Sequence, residues 1–360
     1  MERFEALDSL RGVCAILVVF FHLNIFGAFT EFSFFRNSSI FVEFFFVLSG
    51  FVLAHSYLNK SKIDAKKYLV SRFFRIVPMH WFMLMMFILM NATLLVLSKI
   101  FHLNFPIEPF TGKNAYSEII PNLILIQAWL PSFNALSFNG PAWSISVEFY
   151  LYMIFLAGLL VFRKNIFIFS FILMIFGVLG LIFNYELTTH WAYRGLSCFF
   201  AGVISYMIYQ KVKISSKFLE IILVFIVVWF VTQFKEIPYG SAIAPFLFSF
   251  VVYAFAHENG VVSKALKIKF FKKMGELSFS IYIVHYFIIT VLLSVFVLLS
   301  KLGFNFASKV NGIWMMDLNN LLLNNILPFL ILGVVIFISM FTRKYIEDRF
   351  IQIGKRISNK

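Results

Sequence analysis

The first apolar segment of the chain carries charged and titratable residues that an ordinary membrane helix excludes. Arg11 and His22 lie eleven positions apart in the sequence LDSLRGVCAILVVFFHL. At about 100° per residue, this spacing predicts that the two side chains share one helix face, about 16 Å apart along the axis. Asp8 falls within about 40° of the same line. Because ionisable groups inside a membrane are costly and typically functional, we expect this face to line a polar site.

The rest of the sequence is typical of a polytopic helical membrane protein. Its 360 residues are 61% hydrophobic and 13% charged, which is more apolar than a soluble domain. Most of its ten apolar segments approach the roughly 20 residues needed to cross a bilayer. They cover residues 10–28, 40–58, 77–99, 140–162, 166–184, 193–210, 217–234, 241–257, 277–300 and 324–342. We therefore expect an all-α fold, a bundle of about ten transmembrane helices that forms a single domain over 1–360, with 119–130 as an additional re-entrant or interfacial stretch.

Lysine and arginine are unevenly divided between the loops. Of the 31 such residues, 24 fall at the N-terminus, in alternate loops and in the C-terminal tail, and seven fall in the remaining loops. Because positively charged loops stay on the cytoplasmic side, both termini are predicted to face the cytoplasm. The same asymmetry explains much of the net charge of +14, so membrane lipids and not nucleic acid are the expected surroundings. The far-side loops 100–139 and 301–323 are expected to cap a site or admit a substrate.

Two motifs follow the first segment. In IFVEFFFVLSGF, Glu43 is expected near the outer end of the second segment and nearly exposed, while Ser49 and Gly50 suit either close helix packing or a site. In KKYLVSRFFRIVP, Arg72 and Arg75 are three positions apart and share a helix face. Paired guanidinium groups suit a phosphate or pyrophosphate, and a purely topological role is the alternative.

A fourth motif, NGPAWSISVEFYLY, brings a carboxylate into the membrane. Ser144, Glu148 and Tyr152 follow at four-residue spacing and share one face. A carboxylate at this depth needs partners or a wet cavity, which makes Glu148 a candidate functional residue. Trp143 is interpreted either as part of the same site or as an aromatic belt residue at the membrane interface.

The fifth motif, GELSFSIYIVHYFI, carries a second titratable stripe. Ser278, Tyr282 and His285 lie at offsets of zero, four and seven, which is one helical stripe. The alternative is a structural polar seam between helices. The cysteines, Cys14 and Cys198, and the remaining histidines show no metal-ligand spacing, so no metal site is expected.

These five stretches, in this order, resemble the acyltransferase 3 family of integral membrane O-acyltransferases. The matching motifs in them are Arg-x10-His at 11–22, FFVLSGF at 45–51, R-x-x-R-I-x-P at 72–78, PAWSISVEFY at 141–150 and SFSIYIVH at 278–285. Two further motifs, CFFAG at 198–202 and YIE at 345–347, also resemble the family pattern. The chain departs from residues common in the family at Ser71, Phe279, Phe287 and Asp348. The form expected is the stand-alone one, without the C-terminal esterase-like domain that some members carry.

The resemblance implies transfer of an acyl group, usually acetyl, from cytoplasmic acyl-CoA to a hydroxyl of a cell-surface or lipid-linked glycan. Acetyl-CoA is then a co-substrate, no bound cofactor is expected, and the location is the bacterial inner membrane. His22 would act as general base or carry the acyl group briefly. Arg11 would orient the donor or an oxyanion, Glu148 would orient His22 or bind the acceptor, and Arg72 with Arg75 would hold the CoA phosphates.

The remaining candidates are expected to line this site. They are Asp8, Glu43, Ser49, Trp143, Ser144, Ser278, Tyr282 and His285. The alternative function is a secondary transporter of a small anionic or sugar-like solute, which would also contain intramembrane charged residues. The two halves of the sequence show no clear similarity of the kind that transporters with inverted repeats have.

Overall fold

The computed structural model describes residues 4–101, 108–213 and 216–359, which are mostly helical. The α-helices are α1 (Glu5–His22), α2 (Ser33–Arg36), α3 (Phe41–Tyr57), α4 (Ala65–Phe101), α5 (Ile119–Leu123), α6 (Trp143–Val161), α7 (Ile166–Phe183), α8 (His190–Lys211), α9 (Leu219–Thr232), α10 (Gly240–Ala256), α11 (Val261–Leu266), α12 (Lys269–Leu299), α13 (Leu321–Thr342) and α14 (Asp348–Ser358). Short 3₁₀ turns cover Phe29–Glu31, Ser38–Ile40, Gly112–Asn114, Tyr116–Glu118, Gly140–Ala142 and Arg163–Asn165, and π-helical stretches cover Ser300–Phe304 and Arg343–Glu347. The strands β1 (Ala307–Val310) and β2 (Ile313–Met316) form an antiparallel hairpin.

Each of the ten predicted apolar segments coincides with a helix, so the helical class is confirmed. Within the described ranges, six helical stretches are long and apolar enough to cross a membrane. They are Ser38–Tyr57, Ala65–Ile100, Gly140–Val161, Arg163–Phe183, Lys269–Phe304 and Leu321–Ser358. Two shorter apolar helices, α9 and α10, accompany them, whereas α1 and α8 contain charged residues. The expected total of about ten crossings stays a prediction.

Several boundaries differ from the predicted ones. α1 ends at His22 and not at 28, because the following backbone pairs with the hairpin: the Met316 amide donates to the Asn24 carbonyl at 2.9 Å. α4 begins at Ala65 and not at 77, since Asp64 caps its first turn by accepting from the Lys67 amide at 2.9 Å. The stretch 119–130 forms only the five-residue α5 and turns, which is too short to cross the bilayer.

Glycines allow two helix pairs to approach closely. A Cβ on Gly275 of α12 would overlap the Asp8 carbonyl of α1, and a Cβ on Gly50 of α3 would overlap the Phe199 carbonyl of α8. Gly202 of α8 is equally close to the backbone of α3. Small residues at helix interfaces permit such packing in membranes. The α1–α12 contact positions Arg11 and His22, and the α3–α8 contact positions a buried ion pair described below.

The basic loops gather at one end of the bundle, here called the terminal end because both chain termini approach it. The contacts that join them are Arg163 with the Ser61 carbonyl at 3.0 Å, Lys67 with Asn359 at 2.9 Å and Lys272 with Glu5 at 2.7 Å. The predicted loops therefore share one side of the molecule. Their assignment to the cytoplasm stays a prediction, and Arg3 and Lys360, which belong to the same group, lie outside the described residues.

Candidate active site

A cavity of about 160 Å³ lies between α1, α3, α4, α6 and α12. Its polar lining consists of Arg11, Ser49, Arg72, Arg75, Ser144, Glu148, Tyr152, Ser278 and Tyr282. Four of the five sequence motifs and Arg11 of the first thus meet at one space, although they are spread over 272 positions of the chain. A small apolar-walled cavity with convergent polar groups is the usual form of a ligand site.

The arginine end of this cavity is built by two guanidinium groups that are held differently. Arg72 lies 5.7 Å above the ring of Tyr152, and its Nε donates weakly to Ser71 at 3.4 Å. Within the described residues it has no carboxylate partner. Arg75 forms an ion pair of 2.5 Å with Glu347. Among the residues that the structure describes, the cavity mouth therefore presents one guanidinium without a carboxylate partner, that of Arg72, and one that Glu347 anchors, that of Arg75.

Glu347 is a buried carboxylate from the far end of the chain. Its side chain is fully buried, and it also accepts from the Ser280 hydroxyl at 2.7 Å. The π-helical stretch Arg343–Glu347 turns it inward, and α14 then packs along α4, with Phe350 stacked on Phe74. This arrangement fixes the direction of the Arg75 side chain.

Glu148 lies at the middle of the cavity wall and binds two hydroxyl groups. Its Oε1 accepts from Ser49 at 2.7 Å and from Tyr152 at 2.5 Å. This pairing links the second and fourth motifs through side chains that line the cavity. α6 holds this carboxylate against α3, while His22 contacts α12, so no hydrogen bond among the described residues joins Glu148 to His22.

The predicted stripe on α12 faces the cavity and α1. Arg11 donates from Nε to the Ser278 hydroxyl at 2.8 Å and from Nη2 to the Gly275 carbonyl at 3.1 Å. Asp8 pairs with the same guanidinium at 3.3 Å. The Arg11 charge is therefore oriented by α12 and partly balanced by its own helix.

Tyr282 closes the cavity at the end away from the arginines. Its hydroxyl lies 2.7 Å from the Ser144 hydroxyl and donates to the Pro141 carbonyl at 3.0 Å. The Tyr282 ring is 5.9 Å from the ring of His285. Tyr282 thus separates the cavity from the histidines behind it.

His22 and His285 form a direct pair, which we call the histidine end. Their Nδ1 and Nε2 atoms, respectively, are 3.1 Å apart. The Nδ1 atoms of His22 and His285 also face the carbonyls of Val18 and Ile281, at 2.9 and 3.1 Å. Because a carbonyl only accepts hydrogen bonds, both neutral rings carry their proton on Nδ1. The Nε2 of His285 then accepts from His22, and the Nε2 of His22 keeps its lone pair.

The position of His22 confirms one expectation and corrects another. Arg11 and His22 both contact α12, as expected from their shared face. His22 is, however, the last residue of α1, whereas the predicted segment continues to 28, and it meets the middle of the 31-residue α12. It does not line the cavity, since Tyr282 and His285 stand between.

Glu43 is fully buried, so the expectation that it is nearly exposed at the membrane interface is wrong. It pairs with Arg194 at 2.5 Å across the close α3–α8 contact. Trp143 and Trp191 flank the guanidinium at 4.7 and 5.2 Å, so Trp143 is a buried partner of Arg194 and not a belt residue. Neither Glu43 nor Trp143 lines the cavity.

Sequence reasoning missed four residues that the structure brings to these groups. The sequence analysis counts Arg194 and Lys113 only as loop charges, does not single out Tyr286, and includes Glu347 only through the family resemblance. Lys113 donates to the Tyr286 hydroxyl at 3.2 Å beside His22. A basic residue inside the predicted apolar segment 193–210 is the signal that could have singled out Arg194.

Comparison with known proteins finds one family model that matches most of the chain. Residues 4–342 match the family model of the acyltransferase domain, acyltransferase 3. The acyltransferase MdmB of Streptomyces mycarofaciens is 36% identical over 118 residues, covering 32% of this chain and 27% of that protein. The peptidoglycan O-acetyltransferase OatA of Listeria monocytogenes is 28% identical over 172 residues, covering 44% of this chain and 24% of that protein.

A third relative, "Protein 2 in picA locus" of Rhizobium radiobacter, is 33% identical over 156 residues, 41% of this chain and 78% of that protein. The alignments cover about a quarter of the length of MdmB and of OatA. No solved structure matches the chain. The family match runs through the arginine end and the histidine end alike, and it shows that the chain belongs to the acyltransferase 3 family.

Proposed function

We propose that this protein is a membrane O-acyltransferase that moves an acyl group, acetyl in the first instance, from acyl-CoA to a hydroxyl of a cell-surface or lipid-linked saccharide. The observation that carries the proposal is the close succession of two groups. A cavity has Arg72, without a carboxylate partner among the described residues, at its mouth, and Tyr282 at its closed end lies 5.9 Å from the ring of His285, the partner of His22. The family match supports the reaction class.

The donor would enter at the terminal end. Arg72 has no carboxylate partner in the described ranges, so its guanidinium donors suit the phosphates of CoA. Arg75, held by Glu347, would supply a second oriented contact. The pantetheine arm would then lie in the cavity, and the thioester would meet the acceptor at His22 once the Tyr282 side chain, which closes the cavity, moves aside. The clustering of basic loops supports a cytoplasmic location for this end.

The acceptor hydroxyl would bind at His22, approaching from the end opposite the termini. Its oxygen attacks the thioester carbonyl, the C–O bond forms, the C–S bond breaks and the hydroxyl proton moves to Nε2 of His22. The proton then passes to the leaving CoA thiolate, which leaves both histidines neutral. A base of this kind contributes about 10²-fold to 10⁴-fold to a reaction rate. His285 would act as a positioning residue that holds the His22 ring.

Arg11 is better placed to orient the donor than to stabilise an oxyanion at His22. The two residues are separated by eleven helical positions, about 16 Å along α1. At that separation the Arg11 guanidinium lines the cavity beside Ser278. Glu148, Ser49 and Tyr152 would bind polar atoms of the pantetheine arm through their shared hydrogen bonds. Excluding water from this space limits hydrolysis of the thioester.

The acceptor class is drawn from the relatives and from the membrane setting. One relative is named a peptidoglycan O-acetyltransferase, and a bacterial inner-membrane location would give this protein access to comparable saccharides.

The test is mass spectrometry of surface glycans from source cells lacking the gene, complemented with wild-type protein or with His22→Ala. We expect an alkali-labile acetyl group that returns only with the wild type. Identical glycans in all three strains would contradict a saccharide acceptor, and solute uptake without consumption of acetyl-CoA would favour a transporter.

A further inference from the structure

A lysine beside the histidine end has no role in the reaction derived above. Lys113, in the turn Gly112–Asn114, is half-buried, and its ammonium group lies 3.2 Å from the Tyr286 hydroxyl and 5.8 Å from the ring centre. Among the residues that the structure describes, no carboxylate lies within 4 Å of it. Its charge is therefore available to a ligand.

Tyr286 connects this lysine to His22. The Tyr286 ring meets the His22 ring edge-to-face at 5.3 Å between centres, and it stacks on the buried Phe87 at 6.1 Å. Gly140 packs against the other edge, since a Cβ there would lie 3.4 Å from the ring. The ring is thus fixed from three sides, and a ligand lying along it would reach both the Lys113 ammonium and the imidazole.

The loop that carries Lys113 is held in place by buried amides. Asn114 is 2% exposed and accepts from the Phe138 amide at 3.1 Å. Asn139, also 2% exposed, donates to the Ile283 carbonyl of α12 at 2.9 Å, while its own amide oxygen has no partner among the described residues. A buried amide oxygen without a donor is costly unless a ligand or water supplies one. These bonds attach the loop to α12 next to the histidine pair.

At the arginine end, Arg72 also lacks a carboxylate partner among the described residues, but other basic side chains near the cavity are balanced. Arg194 pairs with Glu43, and Arg11 pairs with Asp8. Lys113 differs in that its described partner is a neutral hydroxyl, which leaves a net positive charge at the entrance to His22. A half-buried cation attracts an anion more strongly than a solvated one, because water screens it less.

We propose that Lys113, Tyr286 and His22 form the acceptor subsite, and that the acceptor is an anionic saccharide whose carboxylate or phosphate binds Lys113 while a hydroxyl of the same sugar reaches His22. This rests on the proposed acyl transfer and narrows its acceptor class. Lys113 binds the acceptor and takes no part in proton transfer, so its loss weakens acceptor binding without changing the chemistry at His22.

The experiment uses the purified full chain in lipid nanodiscs with acetyl-CoA and matched soluble acceptors. These are methyl glucoside, methyl glucuronide and glucose 1-phosphate, and acetylated product is measured by mass spectrometry. We expect kcat/KM to be at least about 10-fold higher for an anionic acceptor than for the neutral one, since hydrogen bonds to charged groups discriminate on that scale. Preference for the glucuronide identifies a carboxylate ligand, and preference for the phosphate identifies a phosphate.

Variants separate anion binding from a structural effect. Lys113→Gln is expected to remove the preference by raising KM for the anionic acceptor about 10-fold or more, and Lys113→Arg to keep most of it. Lys235→Gln changes an exposed lysine of another loop and is expected to leave the preference intact. Equal activity on charged and neutral acceptors, or an equal loss on both in Lys113→Gln, would overturn the proposal.

A binding measurement keeps the two proposals distinguishable. In the wild-type protein without acetyl-CoA, where no transfer can occur, methyl glucuronide or glucose 1-phosphate is expected to raise the melting temperature, and methyl glucoside is not. The rise is expected to vanish in the Lys113→Gln protein and to shrink at high salt. No rise with either anion overturns the anionic subsite even where acetyl transfer is observed. A Lys113-dependent rise without any acetyl transfer supports the subsite and contradicts the reaction.

Discussion

The two ends of the site hold their functional side chains by different means. At the arginine end, the guanidinium of Arg75 is held by a carboxylate, and that of Arg72 rests on an aromatic ring, and both side chains are partly exposed. At the histidine end, two backbone carbonyls fix both rings, and His285 is fully buried. A side chain that binds a flexible phosphate tolerates movement, whereas a base must hold one nitrogen in one direction. The comparison predicts binding defects at one end and rate defects at the other.

The largest effect is expected from His22→Ala. Removing the base lowers kcat about 10²-fold to 10⁴-fold, because the acceptor hydroxyl loses its proton acceptor. KM for acetyl-CoA stays unchanged, since His22 does not line the cavity. Steady-state release of CoA measures both constants. His257→Ala, which alters a histidine packed between Tyr209 and Tyr253, is the control and should retain activity. Full activity of His22→Ala would contradict the role of His22 as the general base.

His285→Phe is expected to have the next largest effect. Phenylalanine fills the space but cannot accept from Nδ1 of His22, so that ring loses one of its two fixing bonds. A misplaced catalytic group costs about 10²-fold in rate. His285→Gln keeps an acceptor atom and should recover part of kcat. Equal rates for the two variants would mean that His285 serves packing alone.

Arg72→Ala tests the opposite end. Loss of a charge-assisted hydrogen bond to phosphate should raise KM for acetyl-CoA about 10-fold to 100-fold with kcat nearly unchanged. Arg72→Lys keeps the charge but not the planar arrangement of donors, so its KM for acetyl-CoA should lie between those of the wild type and Arg72→Ala. The exposed Lys66 supplies the control variant Lys66→Ala. If Lys66→Ala raised KM for acetyl-CoA as much as Arg72→Ala, the arginines would contribute to donor binding through general positive charge and not through a phosphate contact.

Glu347→Gln should produce the smallest change. Glutamine keeps hydrogen bonds towards Ser280 and Arg75 but removes the ion pair, and the Arg75 side chain is 32% exposed, so water still solvates its charge. We expect KM for acetyl-CoA to rise about fivefold at most, with kcat unchanged. Glu276→Gln alters an exposed pair with Lys273 and should change neither constant. A fall in kcat for Glu347→Gln would mean that Glu347 affects the chemical step and does not act only by positioning Arg75.

Local periodicity predicted the parts of the site that lie on single helices. The spacing of Arg11 and His22, of Ser278 with Tyr282 and His285, and of Glu148 with Tyr152 follows from helix geometry, and each set shares a face in the structure. The apolar length of each segment likewise predicted its helix.

The sequence analysis did not predict contacts between residues that lie far apart in the chain. Glu43 meets Arg194 across 151 positions, and Arg75 meets Glu347 across 272. No periodicity connects such residues; their contact depends on which helices pack together. The close approach of α3 to α8 at Gly50 explains why Glu43 is buried and not exposed. The end of α1 at His22 likewise depends on the hairpin that pairs with the next residues.

The most direct test of the central claim is the sidedness of the reaction. The protein is reconstituted in vesicles in one orientation, with labelled acetyl-CoA supplied only to the terminal end and a saccharide acceptor only to the opposite side. If the donor enters beside Arg72 and the hydroxyl is activated at His22, labelled acetyl will appear on the acceptor across the membrane, and His22→Ala vesicles will give none. Transfer only when donor and acceptor share one side would contradict a site that is entered from two ends.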